Sequence, residues 1–380
     1  MSQAHTTDIL IIGGGVIGLS IARQLHKSGV RDITVIDKGT CGREASWAAA
    51  GMLSPQAETN ELDEFFEFCS RSRAMYPQFA AELLRETDVD IELERTGTIY
   101  LELKDDAPGE LLARYRLQRD AALEVELLSD EEVVRLEPHT SASVSFGVLF
   151  PNDWQVDNRR LVQALRAYAD RNGINVIENT PVQHELVETS RVTGAETSRG
   201  TIHSQHTVLT AGAWSSLIAL GDFDLPARVE PVKGQIVCLT APPGTLAHVI
   251  YSHQGYLVPR RDGRILAGST TEHTGYDDSA SSEAIERLTR FANEMLPATL
   301  LETTDSWAGL RPRSTDGLPI LGGIHGLTGL TIATGHYRNG ILLTPITAEL
   351  IADRIVNGVH QKELAAFGLE RFSSVAGASN

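Results

Sequence analysis

The sequence predicts an α/β protein with a nucleotide-binding domain on a parallel sheet and a second, interleaved domain of mixed, mainly antiparallel sheet. Three observations carry the prediction. Residues 8–37, DILIIGGGVIGLSIARQLHKSGVRDITVID, read as strand, glycine turn, helix, strand and terminal acid. Helix–strand steps return at residues 155–182 and 305–375, so the elements alternate rather than falling into two blocks. Between them, residues 226–304 hold a series of strands joined by turns and closed by one helix.

The first strand is the short apolar run at residues 8–12, the pattern of a parallel strand buried on both faces. Gly13, Gly14, Gly15 and Gly18 then open a helix whose Ile17, Ile21 and Leu25 share one face. Gly13 permits the tight turn. Gly15 lets a pyrophosphate approach the helix N-terminus, whose free N–H groups and dipole favour anions. Gly18 lets helix and strand pack closely. Gly29 ends the helix, ITVI at 33–36 is the second strand, and Asp37 stands 19 positions after Gly18. An acid there accepts hydrogen bonds from a ribose and repels a 2′-phosphate. This unit alone leaves the choice between NAD and FAD open.

CGREASWAAAGMLSP, residues 41–55, is too small in its side chains to build a core. Such a stretch lets backbone lie against a flat ring or a phosphate; it equally suits a helix packed close to a neighbour. IELERTGTIYLEL, residues 91–103, alternates like a strand, and a charged helical segment follows near 107–124. In 155–182, Asp157 or Asn158 suits an N-cap and Gly173 a position just past the helix end. HTVLTAGAWSS, 206–216, is a strand entering a glycine turn at Ala211 and Gly212. GQIVCL, HVIYS, GYLVPRRDG and RILAGSTTE are the turn-linked strands, with a helix at 281–296. The chain closes with the strand LTIAT and a helix from about Pro345 to Asn357; the terminal SSVAGASN is expected to fray.

Composition narrows the function. A length of 380 residues, with 42% hydrophobic and 22% charged residues, suits a soluble enzyme of one large or two interleaved domains. A formal net charge of −17 argues against nucleic acid or anionic membrane as partner. Three unpatterned cysteines, Cys41, Cys69 and Cys238, give no disulfide framework and no metal motif, and favour a reducing cytoplasm. The early apolar run has no basic leader and is full of glycine, so it is not read as a signal peptide. No stretch reads as a membrane span.

WAGLRPRSTDGLPILG, residues 307–322, sets Arg311 between a leucine and a proline in a stretch that reads as buried strand ending in a turn. A buried guanidinium is costly unless an anion meets it. Either an internal acid such as Asp316 pairs with it, or a ligand does. Arg313, nearer to Asp316, reads as an ordinary surface pair.

In order along the chain, GGGVIG, EASWAAAGML, TAGAWS, WAGLRPRSTDGLPILG and GHYRNGILLTP resemble the FAD-dependent D-amino-acid oxidase superfamily, and within it the glycine oxidases of thiamine biosynthesis. The resemblance implies a Rossmann-like FAD-binding domain from residues 1–90, 146–225 and 305–375, interleaved with an antiparallel-sheet substrate domain from 91–145 and 226–304. It implies adenosine contacts at Gly14, Gly15, Asp37, Lys38 and Val182. Pyrophosphate and flavin contacts fall to Arg43, Ala45, Ser46, Ala49, Ala50, Gly51 and Met52, with Ala211 and Gly212 at a strand end. His336, Tyr337, Arg338, Asn339, Gly340, Ile341 and Leu342 would close over the flavin. No cysteine matches a covalent flavin link, so noncovalent FAD is expected.

For the substrate, the resemblance gives Arg311 the grip on a carboxylate, with Tyr256 helping and Arg338 lining the substrate side. Thr271 matches a pocket-wall position, where it replaces a methionine. A planar guanidinium is the natural handle for aligning a carboxylate substrate. The implied reaction is oxidative deamination of glycine, and of sarcosine or small D-amino acids, with O2 as acceptor. The alternatives are a sarcosine or D-amino-acid oxidase or dehydrogenase, a flavin-bearing subunit without turnover, and an NAD-dependent dehydrogenase. The family suggests a homo-oligomer, often a tetramer. No metal is expected, and His336 is not read as a base.

Overall fold

The computed structural model describes residues 5–104, 109–141, 143–221, 223, 225, 227–359 and 362–372. The expected terminal fraying lies outside them, as do positions 107 and 108 of the charged helical segment, which runs as a helix over Glu110–Asp120.

The first sheet is built on the strand predicted at residues 8–12, which extends over His5–Ile12. Ile9 and Ile11 pack on one face, and Leu10 and Ile12 on the other. Both faces are covered, which is why the strand is a continuous apolar run rather than an alternating one. Five parallel strands lie in the order Leu327–Thr334, Gly200–Leu209, His5–Ile12, Ile33–Ile36 and Asn175–Ile177. Ile320–Ile324 adds antiparallel at one edge, and the hairpin Val182–Glu188/Arg191–Thr197 joins Gly200–Leu209. Helices Val16–Lys27, Glu64–Thr87, Asn158–Arg171 and Thr344–Asn357 cover one face. Asp157 is the N-cap of the third, accepting from the Arg159 and Arg160 N–H groups.

The second sheet runs in the order Glu302–Ser314, Val229–Thr240, Arg264–Gly268, Gly255–Pro259, Val249–Ser252, Thr98–Leu103, Val144–Phe150 and Glu126–Ser129. All neighbours are antiparallel except Val249–Ser252 with Thr98–Leu103. Helix Ser282–Met295 packs on one face through Leu288, Phe291 and Met295. The other face, with Ile236, Tyr256 and Trp307, turns toward the first domain.

The sheet pairing moves two of the expected boundaries. Residues 146–150 and 305–314, expected in the nucleotide-binding domain, belong to the second sheet. The strand Glu302–Ser314 pairs with Val229–Thr240 along nearly its whole length, a partner that only the fold brings near. The alternation expected from residue 91 becomes a strand only at Thr98–Leu103, and the stretch before it contributes a single bridge, Glu94 to Gln155.

Candidate active site

One cleft runs along the C-terminal ends of the parallel strands and continues onto the open face of the second sheet. This is where open α/β sheets bind ligands. Ile12, Ile36, Thr210 and Thr334 mark the strand ends in its wall.

The glycine loop is built as the sequence requires. Gly13 has φ +109°, and a Cβ there would sit 2.4 Å from Thr210 O. A Cβ on Gly18 would sit 2.0 Å from Gly13 O, so this glycine serves helix–strand contact and does not face the cleft. Gly15 is the N-cap of the helix without any side-chain cap, and it faces the cleft. The Val16 N–H donates to Ser46 Oγ (3.1 Å). Asp37 accepts from the Gly14 N–H (2.8 Å) and the Gly39 N–H (2.9 Å), which holds its carboxylate at the rim. Lys38, Pro181, Val182 and Trp214 continue that end, with the Lys38 ammonium 3.9 Å from the Trp214 ring centre.

The floor is the small-residue segment. Ala45, Ser46, Ala49, Ala50, Gly51 and Met52 line the cleft. So do Ala211, Gly212 and the residues His336 to Ile341. The last group is held from behind: the Tyr76 hydroxyl donates to Ile341 O, and Ser72 Oγ to Leu342 O (2.6 Å). His336 is buried, its Nε2 3.1 Å from Thr347 Oγ1. Burial pushes its pKa down to about 3, so the ring is neutral.

At the end of the cleft on the second sheet stand Tyr256, Arg311 and Arg338. Arg311 donates from Nη1 to Thr270 O (3.1 Å) and from Nη2 to Ser269 Oγ (2.7 Å). Its guanidinium lies flat across Gly234, where a Cβ would come within 2.2 Å of both Nη atoms. Among the described residues no carboxylate pairs with it. Asp316, the internal candidate, pairs with Arg371 instead (2.7 Å), and the expected Arg313–Asp316 pair is not formed. Arg311 therefore presents a fixed, unneutralised guanidinium to the cleft, with donors to spare. The Tyr256 ring covers Gly268, whose missing side chain makes room for it. Arg338 donates to Glu58 Oε1 (3.2 Å) and to the Tyr251 hydroxyl (3.0 Å).

Not every expected contact falls on the wall. Thr271 is exposed, because the chain bulges out of the sheet after Gly268 before pairing again at Glu272 with Lys233; Ser269 lines the cleft at that bulge instead. Arg43 points outward and stacks 3.8 Å from the Trp47 ring centre. Gly14 and Leu342 lie behind the surface they support. Glu58, Tyr251, Trp214 and Ser269 were missed. Trp214 stands in TAGAWS, but no motif marks Glu58, Tyr251 or Ser269, and the fold alone brings these to Arg338 and Arg311.

The cleft fits a flavin dinucleotide. Its helix N-terminus has a glycine N-cap with no side chain of its own to cap it, an acid stands at the second strand end, and the small-residue floor admits a flat ring. Beside the floor is an unneutralised arginine, and the fold and cleft together define a dinucleotide-dependent oxidoreductase.

Residues 8–354 match the model of the family described as FAD dependent oxidoreductase. The chain belongs to that family, and its cofactor is FAD. It is 37% identical to the glycine oxidase of Pseudomonas aeruginosa over 91% of this chain and 93% of that protein. The crystal structure of glycine oxidase from Geobacillus kaustophilus matches with a TM-score of 0.89 at 34% identity, covering 96% of this chain and 99% of that one. The bifunctional protein ThiO/ThiG of Trichormus variabilis is 35% identical over 98% of this chain, which spans 56% of that protein.

Proposed function

We propose that this protein oxidises glycine to glyoxylate and ammonia with dioxygen as acceptor: glycine, O2 and water give glyoxylate, ammonia and hydrogen peroxide. The observation that carries the reading is Arg311, a guanidinium fixed at the cleft by Ser269 and Thr270 with no carboxylate of its own. FAD bound in the cleft supplies the two-electron acceptor for the substrate Cα–H bond. Arg311 binds the substrate carboxylate through paired N–H donors, and the Tyr256 hydroxyl, which makes no hydrogen bond among the described residues, donates to the same group. Arg338, tied to Glu58 and Tyr251, closes the side of the pocket. His336, buried against Thr347 with its pKa pushed down to about 3, is too weak a base to take a proton from the amino group.

The glycine oxidases among its relatives support glycine as the substrate. The ThiO/ThiG relative, in which this chain corresponds to about half, supports a role in thiamine biosynthesis, where the imine formed before hydrolysis to glyoxylate would feed the thiazole. We place the enzyme in the cytoplasm as a homo-oligomer. Among the described residues no helix is long and apolar enough to cross a membrane. Peroxide formation with glycine, sarcosine, D-alanine and D-proline, compared as kcat/KM, tests the proposal. A ranking headed by glycine supports it; a ranking headed by a D-amino acid reassigns the substrate.

A further inference from the structure

We propose that Arg260 is a positioning residue for the cofactor, acting through one peptide plane. Arg260 follows Gly255–Pro259, the strand that carries Tyr256, and its side chain is only 3% exposed. It reaches across the domain boundary. Nη2 donates to Ala50 O (2.7 Å) and to Asn158 Oδ1 (3.3 Å), and Nη1 to Gln155 Oε1 (2.8 Å). The nearest carboxylate, Asp157, is 4.0 Å from Nε and also serves Arg264 and the N-cap of its helix. The guanidinium therefore spends its donors chiefly on neutral acceptors, above all the Ala50 carbonyl.

That carbonyl fixes a direction. In a planar trans peptide, C=O and N–H point opposite ways. With Ala50 O turned out to Arg260, the Gly51 N–H is turned the other way, toward the cleft that Gly51 lines. Among the described residues the Gly51 N–H makes no hydrogen bond, while Gly51 O accepts from the Val156 N–H (2.9 Å). Gly51 has φ +78°, and a Cβ there would sit 2.0 Å from Val156 O. The glycine, the outward carbonyl and the buried arginine form one device that presents a donor to the cofactor.

The neighbouring carbonyls are held from outside in the same way. Asn158 Nδ2 donates to Ser46 O (2.9 Å) and Trp47 O (3.0 Å), and Trp307 Nε1 to Ala48 O (3.0 Å). Trp307 lies four residues before Arg311 on one strand, so the elements that carry the substrate clamp also set the cofactor floor. Arg260 itself is absent from the cleft wall, so it touches the cofactor only through residues 50 and 51.

The inference rests on the cleft as the FAD site and is independent of which amino acid is oxidised. The test is FAD release on dilution of the full-length holoenzyme, followed by flavin fluorescence, with far-UV circular dichroism confirming the fold. Arg260→Met is expected to raise the FAD dissociation constant about 10- to 100-fold, the scale of a lost charge-assisted hydrogen bond. Arg260→Lys keeps the charge but not the fork, and is expected to fall between wild type and Met. A merely structural arginine would lower the melting temperature of both variants and leave the FAD affinity of the folded protein unchanged. Folded Arg260→Met that holds FAD within about twofold of wild type overturns the proposal. If Arg260→Met does not fold, the same result for Arg260→Lys overturns it.

Discussion

Gly234→Ala tests the substrate clamp without touching the arginine that forms it. The added methyl would stand 2.2 Å from Nη1 and Nη2 of Arg311 and 2.3 Å from Cζ. Unstrained contacts between such atoms lie near 3.5 Å, so the guanidinium must retreat by about 1 Å. Its bonds to Ser269 Oγ at 2.7 Å and Thr270 O at 3.1 Å have no slack for that movement. Alanine is otherwise acceptable here: Gly234 lies in a strand without a positive φ, paired with Gly309. A displacement of about 1 Å in a reacting geometry costs about 100-fold. The expected outcome is a kcat/KM for glycine lower by that factor, with KM carrying much of it and FAD content unchanged. Peroxide formation against glycine concentration measures it, and the visible spectrum reports the flavin. A kcat/KM within about threefold of wild type, with FAD bound, would refute the clamp geometry.

Three further outcomes follow from the same structure. Arg311→Leu keeps the flavin and raises the KM for every carboxylate substrate by about 100-fold or more; unchanged kinetics would remove Arg311 from the site. Gly15→Val fills the glycine N-cap beside Ser46 and yields colourless protein; normal flavin content contradicts the phosphate-loop reading. Glu185 is buried with both carboxyl oxygens unbonded among the described residues, and burial pushes its pKa from 4.5 up to about 8. The folded protein thus keeps a proton that the unfolded chain releases, and this contribution to stability is full below about 4.5 and is lost as pH rises through about 8. Glu185→Gln cannot ionise, so its Tm relative to wild type should climb between pH 5 and 8; a constant difference would show that Glu185 does not titrate there.

The nucleotide half was legible because its constraints are local. A strand, a glycine turn and a helix N-terminus occupy consecutive residues, so Gly13, Gly15 and Asp37 could be placed by spacing alone. The small residues 45–52 were legible as a close approach, but what they approach followed from the resemblance. Arg311 was legible as a problem, a charge in a stretch that reads as buried strand; the strand is in fact largely half-buried or exposed, and the groups that hold the guanidinium needed the sheet. Ser269 is distant in sequence and reaches it only through the pairing of Arg264–Gly268 and Glu302–Ser314 with Val229–Thr240. Glu58 and Tyr251 were invisible for the same reason, being ordinary residues until the fold sets them around Arg338. Thr271 shows the opposite error: the resemblance suggested a wall residue, and a bulge between Gly268 and Glu272 turned it to solvent. Arg260 has no motif either, since its role depends on a carbonyl 210 residues away.

Anaerobic mixing of the purified holoenzyme with glycine, followed by admission of air, tests the central claim most directly. The account predicts a visible flavin band that glycine bleaches and that air restores with one equivalent of peroxide per cycle. A band that glycine leaves intact while sarcosine or a D-amino acid bleaches it would contradict the substrate, and a colourless protein would contradict the cofactor.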